Sequence, residues 1–592
     1  MSYTAPTRHM RYLIDEVLGL EGIAALPGYE EATPDTVTAV LEEAARFAAG
    51  ELAPLNAPGD RTGARLADGR VTVPEGFAEA YRAYVEAGWN GIACDPNHGG
   101  MGLPHLVATA AQEMWQSANL ALSLCPMLTA GAIEALTRHG SDDQKALYLS
   151  RLVSGEWTGT MVLTEPQAGT DLGAIRTRAE RDGDAYRLFG QKIYITWGEH
   201  EMAENIIHLV LARTPDAPEG VKGISMFIVP KYLPEADGTP GARNDLQCVG
   251  LEEKLGIHAS PTCTMVFGEG AGAVGYLVGE EGRGLEYMFT MMNEARHKVG
   301  LQGLAIGERA YQQAAAYAVE RVQGRTVTGE AGIVGHPDVR RMLLTMKAAN
   351  EAMRALAYAG AAAMDRARRS TDGHERRRQQ ARADLLIPVV KAWCTEIGME
   401  VASTGIQVHG GMGYVEETGA AQYLRDVRIA AIYEGTNGVQ ANDFMGRKLL
   451  RDGGEAMHAL LDEMAADVEG LGDYASEALS EVGSAVVAAV SDLRRSTDWA
   501  LREGGDPATA GGAAFPLLMQ TGFTAGGWLM ARCARISADR AEGGDAFHQA
   551  RLEVARFYAA HLLPRAAAYG RAARTPGSVV AGVPTATVMG EL

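Results

Sequence analysis

Gly270, Gly272 and Gly275 have the G-x-G-x-x-G spacing that lets a backbone close on a dinucleotide pyrophosphate, and they follow a strand-like run. That chemistry also needs a helix opening at the glycines, so that free N–H groups face the phosphates. The next residues, Tyr276 to Gly282, show no helical periodicity, so the match reads as a glycine-rich loop. Walker A, H-E-x-x-H and G-x-S-x-G patterns do not occur, and neither His297 nor His409 has a second ligand at metal spacing. Metal and serine-hydrolase chemistry fall away. The remaining candidates form five motifs in order: Leu163-Thr-Glu-Pro-Gln-Ala-Gly-Thr-Asp171, Lys192-Ile-Tyr-Ile-Thr-Trp-Gly198, Arg296 with Arg321, Gln407-Val-His-Gly-Gly-Met-Gly-Tyr414, and Ile432-Tyr-Glu-Gly-Thr436. Each alone admits a structural role: Thr-Glu-Pro suits a turn, and Glu434 suits the first turn of a helix, where the dipole favours a carboxylate.

The elements that carry these motifs can be read from periodicity. Between Thr36 and Trp157 apolar residues recur at helical spacing, with breaks at Pro54, Pro74 and the loop Asp95–Pro104, which predicts an all-helical domain over 1–157 that includes an N-terminal arm. Short β-rich runs over 158–282, with no helices between them, predict an antiparallel sheet closed as a barrel or packed as a sandwich. Helical spacing returns over 283–452 in four segments beginning near Gly284, Pro337, Asp384 and Gly419, which suits a four-helix bundle. Further Ala-rich helices are expected over 453–592, ending in an irregular tail. The fold class is α+β and multidomain. The Arg-rich run Ala367–Asp384 reads as a solvated connection between helices.

Taken together and in this order, the motifs resemble the acyl-CoA dehydrogenase family over roughly Thr36 to Leu450. The helical extension resembles the larger members with an added C-terminal domain, the 3-methylmercaptopropionyl-CoA dehydrogenase branch among them. The resemblance implies FAD as cofactor and removal of an α proton and a β hydride from an acyl-CoA thioester, giving a trans-2-enoyl-CoA. It makes Glu434 the base and flavin N5 the hydride acceptor. Burial beneath an acyl chain would raise the carboxylate's pKa toward that of the acidified α proton. Met161, Leu163 and Thr164 match the segment at the pyrimidine edge of the flavin. Thr196 matches the donor to N5, and Tyr194 stands where many relatives place a Trp. Thr170, Arg296 and Gly435 match positions at the substrate. Arg321, Gln407 with Gly411, and Thr436 match FAD contacts, those of Arg321 and Gln407 reaching a neighbouring subunit, which implies a homodimer. The helix Leu106–Leu124 is expected to help shape the acyl pocket. The acyl group itself is left open between a 3-methylthiopropanoyl and a fatty chain.

The 54 Lys and Arg against 74 Asp and Glu give a net charge of −20, which repels nucleic acid and anionic lipid. Six scattered cysteines without a C-x-x-C pair point to free thiols and a cytoplasmic setting. No stretch approaches the ~18 uninterrupted apolar residues of a membrane span. The family resemblance adds electron-transfer flavoprotein as redox partner. Two other functions compete: a flavin oxidase or monooxygenase of the same fold, against which Glu434 argues, and a non-catalytic FAD-containing binding protein, against which the charge argues.

Overall fold

The structure, a computed structural model, describes residues 3–235, 237–471 and 476–590. In the N-terminal region three helices start on side-chain caps. Thr33 accepts from Thr36 N ahead of Pro34–Phe47, Asn119 from Leu122 N ahead of Leu120–His139, and Ser141 forms a capping box ahead of Asp142–Ser154. Asn119, in extended conformation, divides the expected helix Leu106–Leu124 between His105–Ala118 and Leu120–His139. Among the described residues, Leu120–His139 is the one helix long and apolar enough to cross a membrane, yet 83% of its apolar window is buried. It is a core helix: Cβ atoms added at Gly131 and Gly159 would meet Met291 and Ala132.

Two features depart from the expected organisation of this region. Pro54 does not break the helix: it follows the π turn Ala48–Leu52 and lies in the first turn of Ala53–Thr62. Strands Arg65–Ala67 and Arg70–Thr72 form a hairpin whose turn residues, Asp68 (φ 51) and Gly69 (φ 73), both take left-handed conformations.

The middle region closes on itself. Strand Ala185–Thr196 pairs with Ala273–Leu277, which pairs with Ile224–Pro230 and through it with Asn205–Arg213. Arg178–Asp182 pairs with Ala185–Thr196 and, through Arg178 and Arg213, with Asn205–Arg213, completing a five-stranded ring. Trp157–Val162 joins the outside of this barrel parallel to Asn205–Arg213, and the far half of Ala185–Thr196 carries Thr262–Phe267 and then Leu246–Leu251. A strand, not a helix, follows Gly272, and Gly270 and Gly272 donate to Asp245 Oδ2 at 2.9 Å.

Helices Gly284–Glu320, Pro337–Arg369 and Gly373–His409 form the next layer. The first and third approach until a Cβ at Gly303 would sit 2.1 Å from Cys394 O, and one at Gly398 2.3 Å from Gly303 O. The third helix starts at Gly373 rather than near Asp384, so the Arg-rich run lies on helices, and the connection is only Ser370 to Asp372. Arg, Gln and Ala favour helix whether or not they face a core. Of its arginines, Arg368 pairs with Glu134, Arg378 with Glu375 and Arg382 with Glu463. The expected fourth helix is broken into Ala420–Val427, a 3₁₀ turn Arg428–Ala431, and Asn437–Asp443 running into a π turn Phe444–Leu450. Glu434 (φ 56) and Gly435 (φ 82) cannot continue a right-handed helix.

The C-terminal helices Glu455–Val468, Glu477–Glu503, Pro507–Glu542, Ala546–His561 and Pro564–Ala573 pack against this layer. Gly522 lets Pro507–Glu542 lie on the Trp393 ring, and Phe523 meets that ring edge-on at 5.6 Å. The N-terminal arm seals the other side, Tyr12 donating to Cys533 O at 2.6 Å. The tail ends in an exposed short helix, Thr585–Met589.

Candidate active site

Glu434 sits in the break of the fourth helical segment, between two helices that hold its turn. Arg296, 4% exposed on Gly284–Glu320, donates from Nε to Glu434 O at 3.4 Å. Gln440 donates from Nε2 to Glu434 O at 3.3 Å and to Gly435 O at 3.1 Å. A Cβ at Gly435 would lie 2.8 Å from Gln440 Nε2, so only glycine permits this bracing. Thr436 Oγ1 accepts from Val439 N and starts the next helix. A left-handed non-glycine residue is strained, and such strain concentrates at functional positions.

The carboxyl is electrostatically poised. Burial pushes Glu434 up from 4.5 to about 7, against the opposing pull of Arg296 and Lys391. Its N–H donates to no acceptor in the chain among the described residues. A group at this pKa can take a proton near neutral pH, and a free N–H beside it can receive a developing oxyanion.

The residues expected at the flavin fall into two clusters. Met161 lies at the end of strand Trp157–Val162 and Leu163 and Thr164 just past it, and Ile193 N donates to Thr164 O at 3.0 Å, which brings them beside Tyr194 and Thr196 on Ala185–Thr196. Tyr194, at φ 61, turns a ring that is 60% exposed outward. Among the described residues the Thr164 and Thr196 hydroxyls have no hydrogen-bond partner, so both are available to a polar ring edge. Thr170 lies exposed in the loop that follows. The second cluster gathers Arg321 just past the end of Gly284–Glu320 with Gln407 and Gly411 at and just past the end of Gly373–His409, all exposed; Tyr317 and His409 on the same two helices pack as tilted rings 4.5 Å apart.

The structure does not bring the two ends together. From Arg296 to Arg321 the helix advances by about 37 Å, which leaves Arg321 far from the Glu434 turn of the same chain.

Sequence reasoning missed two groups that build the site. Glu165 accepts from Arg176 N, Thr177 N, Thr177 Oγ1 and Lys192 Nζ, and Lys192 also donates to Leu163 O at 2.8 Å. Burial pushes Glu165 up, but Lys192, Thr177 and Arg176 override it and hold the carboxyl down at about 2. The signal was present, since Glu165 and Lys192 both lie inside the motifs. The second group is Lys391, outside every motif. A separate cavity of about 410 Å³, lined by Trp89, Gln112, Trp115, Glu134, Lys298 and Arg368, does not include Glu434.

Four family models cover this architecture: the acyl-CoA dehydrogenase N-terminal domain over residues 34–156, its middle domain over 160–269, its C-terminal domain over 282–449, and the acetyl-CoA dehydrogenase C-terminal-like domain over 460–584. The chain belongs to the acyl-CoA dehydrogenase family. It is similar to 3-methylmercaptopropionyl-CoA dehydrogenase of Ruegeria pomeroyi, 48% identical over 95% of this chain and 96% of that protein. The broad-specificity linear acyl-CoA dehydrogenase FadE5 of Mycobacterium tuberculosis is 34% identical, again over 95% of this chain and 96% of that one. A solved acyl-CoA dehydrogenase from Bacillus anthracis, complexed with FAD, has the same fold: TM-score 0.73, 21% identity, 95% of this chain and 90% of that one.

Proposed function

We propose that this acyl-CoA dehydrogenase converts a short acyl-CoA to its trans-2-enoyl thioester, with 3-methylmercaptopropionyl-CoA first among the candidates, Glu434 as base and FAD as cofactor. The 48% identity to an enzyme named for that substrate supports the choice of acyl group. Glu434 carries the reaction type: a carboxyl at about 7, in a strained turn braced by Arg296 and Gln440, is a base prepared for an α proton.

The chain's part in the reaction follows from these groups. The thioester oxygen accepts from Glu434 N–H, which acidifies the α carbon. The α C–H breaks, its proton passes to the Glu434 carboxylate, and its electron pair forms the new double bond as the β hydrogen departs with its own pair. Bound FAD supplies the acceptor for that hydride. Desolvation by the acyl chain raises the carboxylate further and favours proton capture. Arg296 and Thr170 border the substrate.

The two exposed clusters fit FAD if they act from different chains. The free hydroxyls of Thr164 and Thr196, with Met161, Leu163, Tyr194 and Thr436, would hold the ring half. Arg321 would fork onto the pyrophosphate, with Gln407 and Gly411 at the adenosine, from the partner of a homodimer. Room for that approach exists, because a Cβ at Gly411 would meet nothing within 4 Å. The division into units at 1–157, 158–282, 283–452 and 453–592 belongs to this reading, as do electron-transfer flavoprotein as oxidant and a cytoplasmic setting, the last supported by six free cysteines.

Anaerobic mixing with a panel of acyl-CoAs tests the reading. Flavin bleaching should be fastest with 3-methylmercaptopropionyl-CoA, with a product two hydrogens lighter, and reoxidation should be fast with electron-transfer flavoprotein and slow with oxygen. A flavin bleached by none of them would overturn the dehydrogenase reading, and fast reoxidation by oxygen would favour an oxidase.

A further inference from the structure

Among the described residues three lysines are buried, and they are not alike. Lys192 contacts Glu165 at 2.9 Å and Lys231 contacts Glu199, so both ammonium groups are neutralised by a touching carboxylate. Lys391, fully buried on Gly373–His409, touches none: its acceptor is the amide Oδ1 of Asn437 at 2.9 Å. A buried cation is costly unless compensated, and nothing in simple packing calls for an ammonium where a methionine would fill the space.

Asn437 explains the location. It is the first residue of the helix that follows the Glu434 turn, and its amide is locked on both sides. Oδ1 accepts from Lys391 Nζ, while Nδ2 donates to Glu396 Oε1 at 2.8 Å and Thr395 Oγ1 at 3.0 Å. The turn is thus pinned to Gly373–His409 from below, as Arg296 and Gln440 hold it from above. We infer that Lys391 is a positioning residue for the catalytic base: through Asn437 it fixes the strained turn that aims Glu434, and it supplies the buried positive charge that the carboxylate answers.

The electrostatics agree. Burial lowers Lys391 from 10.5 to about 7, with Glu434 and Glu396 raising it and Arg296 lowering it. Glu434 is faced in turn by Arg296 and Lys391, and Arg296 by Asp443, Glu434 and Arg447. Lys391 and Glu434 therefore titrate in one range and stabilise each other's charge. This inference rests on Glu434 being the base.

The pH profile of flavin reduction by acyl-CoA tests it in the holoenzyme. Lys391→Met should move the acid limb, set by Glu434, upward by about one unit, which is roughly tenfold in rate below neutrality, with recovery at high pH. Lys391→Arg, always charged, should leave that limb in place. A Lys391→Met profile of unchanged shape and uniformly lower amplitude would overturn the inference. Should Lys391→Met not fold with FAD, Asn437→Ala keeps the lysine but removes its acceptor, and should displace the same limb; an undisplaced limb there would count equally against the role. Glu434→Gln separates the two readings. If it reduces flavin normally, the base assignment fails; if it is slow and the lysine variants keep the native profile, only the role of Lys391 falls.

Discussion

Glu434 is a residue whose fold works against its ionisation. Its pKa in the folded chain, about 7, lies above its ordinary 4.5, so the unfolded chain releases the proton first as pH rises. The folded state therefore loses stability between these two values, and the whole penalty is present above about pH 8. Glu434→Gln removes that penalty. Unfolding midpoints should be similar for variant and native protein near pH 5, with the variant more stable by roughly 1–3 kcal/mol above pH 8; equal midpoints throughout would mean that the carboxyl is not held up by burial. Glu434 could be found in the sequence because its neighbours Gly435 and Thr436 form a motif. Lys391 could not, because a lysine in an apolar helical run, far along the chain from position 434, gains meaning only when Asn437 is seen to join them.

At the scale of elements, charged groups do the fastening. The loop after Leu163 is tied to the strand bearing Tyr194 and Thr196 by the buried Glu165–Lys192 pair. Lys192→Met leaves Glu165 buried without its partner. The expected result is a stability loss of about 3 kcal/mol and release of FAD on gel filtration; full retention would assign the pair no part in shaping the flavin loop. Arg354 fastens three helices and the N-terminal arm at once, contacting Glu113, Glu308 and His9, while Tyr358 donates to the same Glu113. Arg354→Met strands two buried carboxylates and should cost about 3–5 kcal/mol in a chemical denaturation series. Elements with clear periodicity were legible: barrel strands Ala185–Thr196, Asn205–Arg213 and Ile224–Pro230, the bodies of the three long helices, and the C-terminal helices, whereas the short ring strands Arg178–Asp182, rich in charge, and Ala273–Leu277, in a glycine-rich run, were not. Those where local chemistry competes with periodicity were not. The hairpin at Asp68-Gly69 is too short for an alternating pattern, though its Asp-Gly turn was the available sign. The Arg-rich run looked solvated, yet polarity does not stop a helix whose residues favour it. The fourth helix had continuous periodicity and was broken by the conformations of Glu434 and Gly435, which serve the site and not the packing.

For the whole molecule, Arg296 and Arg321 stand near opposite ends of one long helix. In the proposed function this separation is what assigns the two halves of the cofactor to different chains. Arg321→Ala should weaken FAD retention without lowering the stability of the isolated chain, since Arg321 is exposed. Light scattering of the native holoenzyme should give a dimer as the smallest active species, and a fully active monomer would refute the shared site.

In the proposed reaction Glu434 takes the α proton, and rapid anaerobic mixing of Glu434→Gln with the best acyl-CoA isolates that step. The variant should bind FAD, and acyl-CoA should still perturb the flavin spectrum, while flavin reduction slows by at least ~10²-fold. Near-native bleaching in that variant would show that Glu434 is not the base and leave it a residue of the strained turn alone.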